Sequence, residues 1–134
     1  MDETLRKTLR QFHIDLLAGK LDAFGQAFDP NGGYEHSELL SGGLLWGSNV
    51  AAGYAAELAH RWLCTTHTRE LHSWFVAREG CFELRPQTTH YSFVMWQYKA
   101  HMTGSNQMVV REGTSRIWTN SNNKVVWLEI SHKL

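Results

Sequence analysis

Between residues 90 and 134 the sequence sets acids, bases and aromatics two positions apart: Trp96 and Tyr98, then Glu112, Thr114, Arg116 and Trp118, then His132. Side chains at that spacing leave a β-strand on one face. A guanidinium beside a carboxylate, walled by aromatic rings, suits a small, partly apolar organic molecule carrying a carboxylate or another electron-rich oxygen. The competing reading of Glu112 and Arg116 is an ion pair on the sheet that serves no ligand.

Other reactive residue types fall into no chemical pattern. None of the eight histidines fits a ligand spacing such as H-E-x-x-H. His67 and His72 share one strand, but their odd separation sends them to opposite faces, so no metal site is expected. Cys64 and Cys81 are too few for a disulfide framework or a thiolate site. Gly32-Gly33 and Gly42-Gly43 read as turns, not as phosphate-binding loops.

The elements that must position these side chains form a meander. HYSFVMWQYKAHM, QMVVREGTSRIWT and KVVWLEISHKL are dense in β-branched and aromatic residues, and they are separated by Thr103–Asn106 and Asn120–Asn123. If both turns keep the strands in phase, the even positions share a face. That face carries Ser92, Val94, Trp96 and Tyr98, then Glu112, Thr114, Arg116 and Trp118, then Val126, Leu128, Ile130 and His132. A slip of one residue would send a strand's set to the other side. The opposite face, with Tyr91, Phe93, Met95, Val109, Ile117, Val125 and Trp127, is also apolar. It calls for a cover of its own, and a second copy of the chain, as a homodimer or larger homo-oligomer, is the expected one.

Upstream, Leu5, Leu9, Phe12, Leu16 and Leu17 at helical spacing predict a helix over 2–18 that ends at Gly19. A second is expected over 21–28, stopped by Asp29-Pro30, and a third over 50–62. GYEHSELLSGGLLWG reads as a short strand or hairpin. A long strand from Thr65 to Ala77 is expected to turn at Arg78-Glu79-Gly80 and return over 81–84. With no repeat or linker, 1–134 reads as a single α+β domain.

The chain has 134 residues, 43% of them hydrophobic, enough for a core without staples. Thirteen basic residues balance thirteen acidic ones, so no net field draws it to nucleic acid. No run approaches the roughly 20 apolar residues that span a bilayer, and the opening MDETLRKTLR is charged, so no membrane partner and a cytoplasmic location are expected.

The order of these features resembles the NTF2-like (SnoaL-like) cone. FDPNGGYEHSELL looks like the DP-G…FEPEAL segment of association-domain proteins related to the hub of calmodulin-dependent kinase II. REGTSRIWTNSNNK looks like their EETRVW…DGK segment. The resemblance implies three N-terminal-half helices packed on a curved antiparallel sheet, and a pocket to which Arg116 and His132 contribute. A third pocket arginine falls at Val94, and a histidine and a tryptophan of the third helix fall at Ala51 and Ala59. No kinase motif is present.

The same fold hosts ketosteroid isomerase, whose V-E-D-P segment resembles Tyr34-Glu35-His36-Ser37. That match puts His36 at the position of the general base, next to Tyr34 as a pocket residue. The isomerase's oxyanion-hole tyrosine falls at Phe12, which has no proton to donate. The expectation is therefore a homo-oligomeric domain that binds a small organic molecule without a cofactor. The alternative is a cofactor-independent lyase or isomerase with His36 as base and Tyr98, Arg116 or His132 as electrophile. A third possibility is an oligomerisation domain whose interior is filled by side chains such as Trp96 and Trp118.

Overall fold

The computed structural model describes residues 2–36, 44–46, 65–84 and 87–132. Helix α1 (Glu3–Leu17) and the short α2 (Leu21–Gln26) precede strands β1 (Phe28–His36), β2 (Leu44–Trp46), β3 (Thr66–Leu84), β4 (Gln87–Met102), β5 (Met108–Thr119) and β6 (Val125–His132). The third helix expected over 50–62 lies outside the described residues.

Helix α1 begins and ends where its sequence directs. The Asp2 carboxylate accepts a hydrogen bond of 2.7 Å from the Leu5 amide, satisfying one of the helix's orphan donors. At the other end Gly19 takes φ +74°, so its amide reaches the Leu16 carbonyl and the Lys20 amide reaches that of Asp15. This is a Schellman closure, and it needs a residue that tolerates the left-handed region. Leu5, Leu9, Phe12, Leu16 and Leu17 are all buried, as their spacing predicts. Helix α2 is two residues shorter than expected. Phe28 belongs to β1 instead, yet it still packs with Phe24 and Phe12 at ring-centroid distances of 5.3 and 6.0 Å.

The six strands form one sheet in the order β2-β1-β6-β5-β4-β3. Neighbours are antiparallel except β1 and β6, which run parallel. Strands β1 and β2 pair antiparallel, with Gly33 opposite Trp46. The turn expected at Arg78-Glu79-Gly80 is not there. Strand β3 runs on to Leu84, which pairs with Gln87, and the meander has four strands rather than three. A register shift between Val76 and Arg78 absorbs the local irregularity, and the pairing of 81–84 with 87–90 overrides the breaker signal of Gly80.

The two later turns fall where expected. Gly104, Asn106 and Asn123 adopt positive φ, a region open to glycine and tolerated by asparagine. The phase across the first of them differs from the expectation. His101 pairs with Met108, so every β4–β5 pair joins an even position to an odd one. The β5–β6 pairs from Gly113–His132 to Trp118–Trp127 do the same, which brings β4 and β6 back into phase and leaves β5 out.

The helix-covered face is therefore made of Val94, Trp96 and Tyr98 from β4, Ser115 and Ile117 from β5, and Leu128 and Ile130 from β6, all buried. Gly113 belongs to this face too. A Cβ there would lie 2.3 Å from the Trp96 ring, so the glycine is what allows the indole to lie across β5.

Candidate functional site

The phase of β5 divides the sequence-predicted pocket between the two faces of the sheet. Trp96 and Tyr98 are on the helix-covered face, packed 5.9 Å apart and closed to solvent. In the backbone ladder Tyr34 pairs with Leu128, His36 with Ile130 and His132 with Gly113. Glu112, Thr114, Arg116 and Trp118 belong to the outer face, opposite Gln97, Met95, Phe93 and Tyr91 respectively. The single face expected to carry all of them does not exist. The reason is the even-to-odd pairing imposed by the connection between β4 and β5.

On the outer face Arg116 is 59% exposed and lies 4.0 Å from the Glu129 carboxylate, with its guanidinium carbon 5.8 Å from the centre of the Phe93 ring. The expected partner, Glu112, instead accepts a hydrogen bond of 3.1 Å from the Gln97 amide. Trp118 packs on Tyr91 at 4.9 Å and pairs across strands with Trp127. Expected members of this face divide as well: Tyr91, Phe93, Met95 and Trp127 are here, whereas Ile117 and Val125 are buried in the core.

Next to Glu112 the outer surface sinks into a hollow of about 420 Å³. Phe75 and Met95 form its apolar side, and Ser73, Gln97, Glu112, Thr114 and Ser131 supply polar atoms, with Gly113 and Trp96 beneath. Phe75, on the edge strand β3, and Met95, on the neighbouring β4, are 51% and 41% exposed. Glu112 is the charged group in the lining, and Arg116 is not part of it.

The helix-covered face holds a polar group that the sequence reading missed. His13 Nδ1 lies 2.8 Å from the Leu9 carbonyl and Nε2 lies 2.8 Å from the Ser115 hydroxyl, which also receives the Trp96 indole N–H at 2.9 Å. A carbonyl only accepts, so the proton belongs on Nδ1 and the Ser115 hydroxyl donates to Nε2. The Trp74 indole N–H approaches the same Nδ1 at 3.1 Å. The shorter Leu9 contact decides the tautomer, and half-buried Trp74 does not need this bond. Burial pushes the imidazole down to about 4, only partly opposed by the Leu9 carbonyl, which favours the protonated ring. His13 is thus neutral near pH 7, and its remaining lone pair is already engaged. The signal was legible: residue 13 falls on the same helical stripe as Leu5, Leu9 and Leu16. At the other end of this face the Ser92 hydroxyl is buried without a hydrogen-bond partner among the described residues.

Comparison with known proteins rests on structure. No protein-family model matches the sequence, and no curated protein matches it. Among solved structures, a protein of unknown function from Burkholderia pseudomallei K96243, described as NTF2-like, superposes with a TM-score of 0.64 at 12% identity. The match covers 96% of this chain and 90% of that one. A steroid delta-isomerase from Pseudomonas aeruginosa gives 0.60 at 12% identity over 100% and 82% of the two chains.

The chain has the NTF2-like fold. A type 2 hexachlorocyclohexane dehydrochlorinase shares it, with a TM-score of 0.62 at 10% identity over 96% of this chain and 85% of that one. Likeness at this level carries architecture and not activity, since NTF2-like proteins differ in the residues they mount on the sheet. No helix among the described residues is long and apolar enough to cross a membrane. Nor do three His, Cys, Asp or Glu side chains among them converge on one point.

Proposed function

We propose that this NTF2-like domain associates with itself through the outer face of the sheet and binds a small, partly apolar organic molecule in the hollow beside Glu112. One observation carries the reading: the hollow of about 420 Å³ combines exposed Phe75 and Met95 with a carboxylate and several hydroxyl and amide groups. That mixture is the usual composition of a small-molecule site. A second copy laid on this face would cover Tyr91, Phe93, Met95 and Trp127 and close the hollow. The ligand chemistry follows Glu112. A carboxylate lining favours a cationic or strongly hydrogen-bond-donating group, in place of the carboxylate that Arg116 suggests from sequence.

Matched probes of opposite charge test this. 2-Phenylethylamine is expected to raise the melting temperature, phenylacetate is not, and Glu112→Gln is expected to remove the difference. Preference for the acid, or no response to either probe, contradicts the reading.

A second reading has its own support. In the backbone ladder Tyr34 and His36 pair with Leu128 and Ile130, which are buried on the helix-covered face, and the Ser92 hydroxyl buried there has no hydrogen-bond partner among the described residues. A cofactor-independent isomerase or lyase with His36 as base would work there. It predicts exchange of α-protons of a cyclic ketone into D2O, lost in His36→Ala. Exchange unaffected by that substitution removes His36 from the chemistry.

A further inference from the structure

Strand β3 is one edge of the sheet, and near its start His67 faces His101 of β4 directly across the ladder. Residues so paired hold their Cβ atoms about 4.5–5.5 Å apart. Here the two imidazoles stack, with centroids 5.5 Å apart and planes 21° from parallel. Their Nδ1 atoms converge on one point, the Thr68 hydroxyl, which lies 3.1 Å from His67 and 2.9 Å from His101.

That hydroxyl is placed there by an unusual backbone. Thr68 has φ +49°, in the left-handed region, at the register shift between His67 and Glu70. A β-branched residue rarely enters this region, and such conformations are strained. A hydroxyl has a single proton, so it donates to one imidazole only, and the other ring must supply its own Nδ1 proton. One of the two rings therefore turns a lone pair toward the shared point. His67 is exposed, so that point is open to solvent.

We propose that His67 and His101 form a two-nitrogen site for a late first-row divalent metal ion, with water and the Thr68 oxygen completing its shell. Imidazole nitrogen suits copper, nickel and zinc. With no third His, Cys, Asp or Glu ligand among the described residues, geometry imposes little selectivity, and affinity should follow the intrinsic order, with Cu2+ above Ni2+ and Zn2+. The ion would sit beside the Thr68 oxygen, roughly 2.0–2.1 Å from each imidazole nitrogen. Spacing along the sequence could not find the pair, because its members come from different strands.

The test is calorimetric titration of the tag-free full chain with Cu2+ and with Ni2+ near neutral pH. One ion per chain is expected. His67→Ala and His101→Gln should each weaken it by about tenfold or more, because the second imidazole bond is intramolecular. His72→Ala, an exposed histidine of the same strand, should bind like the unmodified chain. A measurement that needs no variant is amide line broadening by substoichiometric Cu2+, expected to centre on 66–70 and 99–102. Broadening centred elsewhere, absent binding, or unchanged affinity in both His67→Ala and His101→Gln overturns the proposal.

Discussion

The two faces of one sheet differ in how completely they are finished. On the helix-covered face Trp96, Ser115 and His13 satisfy one another, Gly113 leaves room for the indole, and Val94, Ile117 and Leu128 have no solvent contact. On the outer face Phe75 and Met95 are exposed beside a hollow, Val110 is exposed too, and Arg116 lies over the Phe93 ring with a long pairing to Glu129. Successive residues of β4 and β5 serve these two ends alternately. One parity builds the closed core, and the other leaves apolar side chains exposed.

Substitution at Trp96 should break this contrast most sharply. Trp96→Ala leaves a cavity at the centre of the core and removes the donor to Ser115, so a loss of about 3–5 kcal/mol is expected by chemical denaturation. A loss below about 1 kcal/mol would mean that the helix-covered face is not the closed core described here.

Acid should act on the same face. The folded-state value of His13, about 4, lies below its ordinary 6.5, so the folded state holds the neutral ring. Stability from this group is fully present above about pH 6.5 and falls as pH drops toward 4. The loss is about 3 kcal/mol when both states are protonated. His13→Gln should flatten that part of the stability–pH curve, and an unchanged slope would assign the acid sensitivity elsewhere.

The smallest effect on folding is expected outside. Met95→Glu should change the stability of a single copy by no more than about 0.5 kcal/mol, as for most exposed positions, while abolishing self-association in sedimentation. Association that survives it would move the interface off this face.

Much of this was legible from local pattern. The stripe Leu5, Leu9, Phe12, Leu16 and Leu17 foretells the buried side of α1, and Gly104 and the asparagines near 106 and 123 foretell the turns, because these signals are local and chemically specific. The site was legible only in pieces. Glu112, Thr114 and Arg116 do share a face with one another, but whether they join Trp96 depends on the parity of a connection, which no side chain of that connection announces. Gly80 misled for a related reason: long-range pairing of β3 with β4 outweighs a breaker's local preference. His13 was passed over although it lies on the apolar stripe, and the partner that explains it, Ser115, is about a hundred residues away.

The most direct test of the division is methyl NMR during titration with 2-phenylethylamine. If the outer face recognises the ligand, the Met95 methyl resonance shifts in a saturable way while that of Ile130, buried on the helix-covered face, stays in place. Saturable movement of Ile130 with Met95 unmoved would place binding inside the cone and contradict the account.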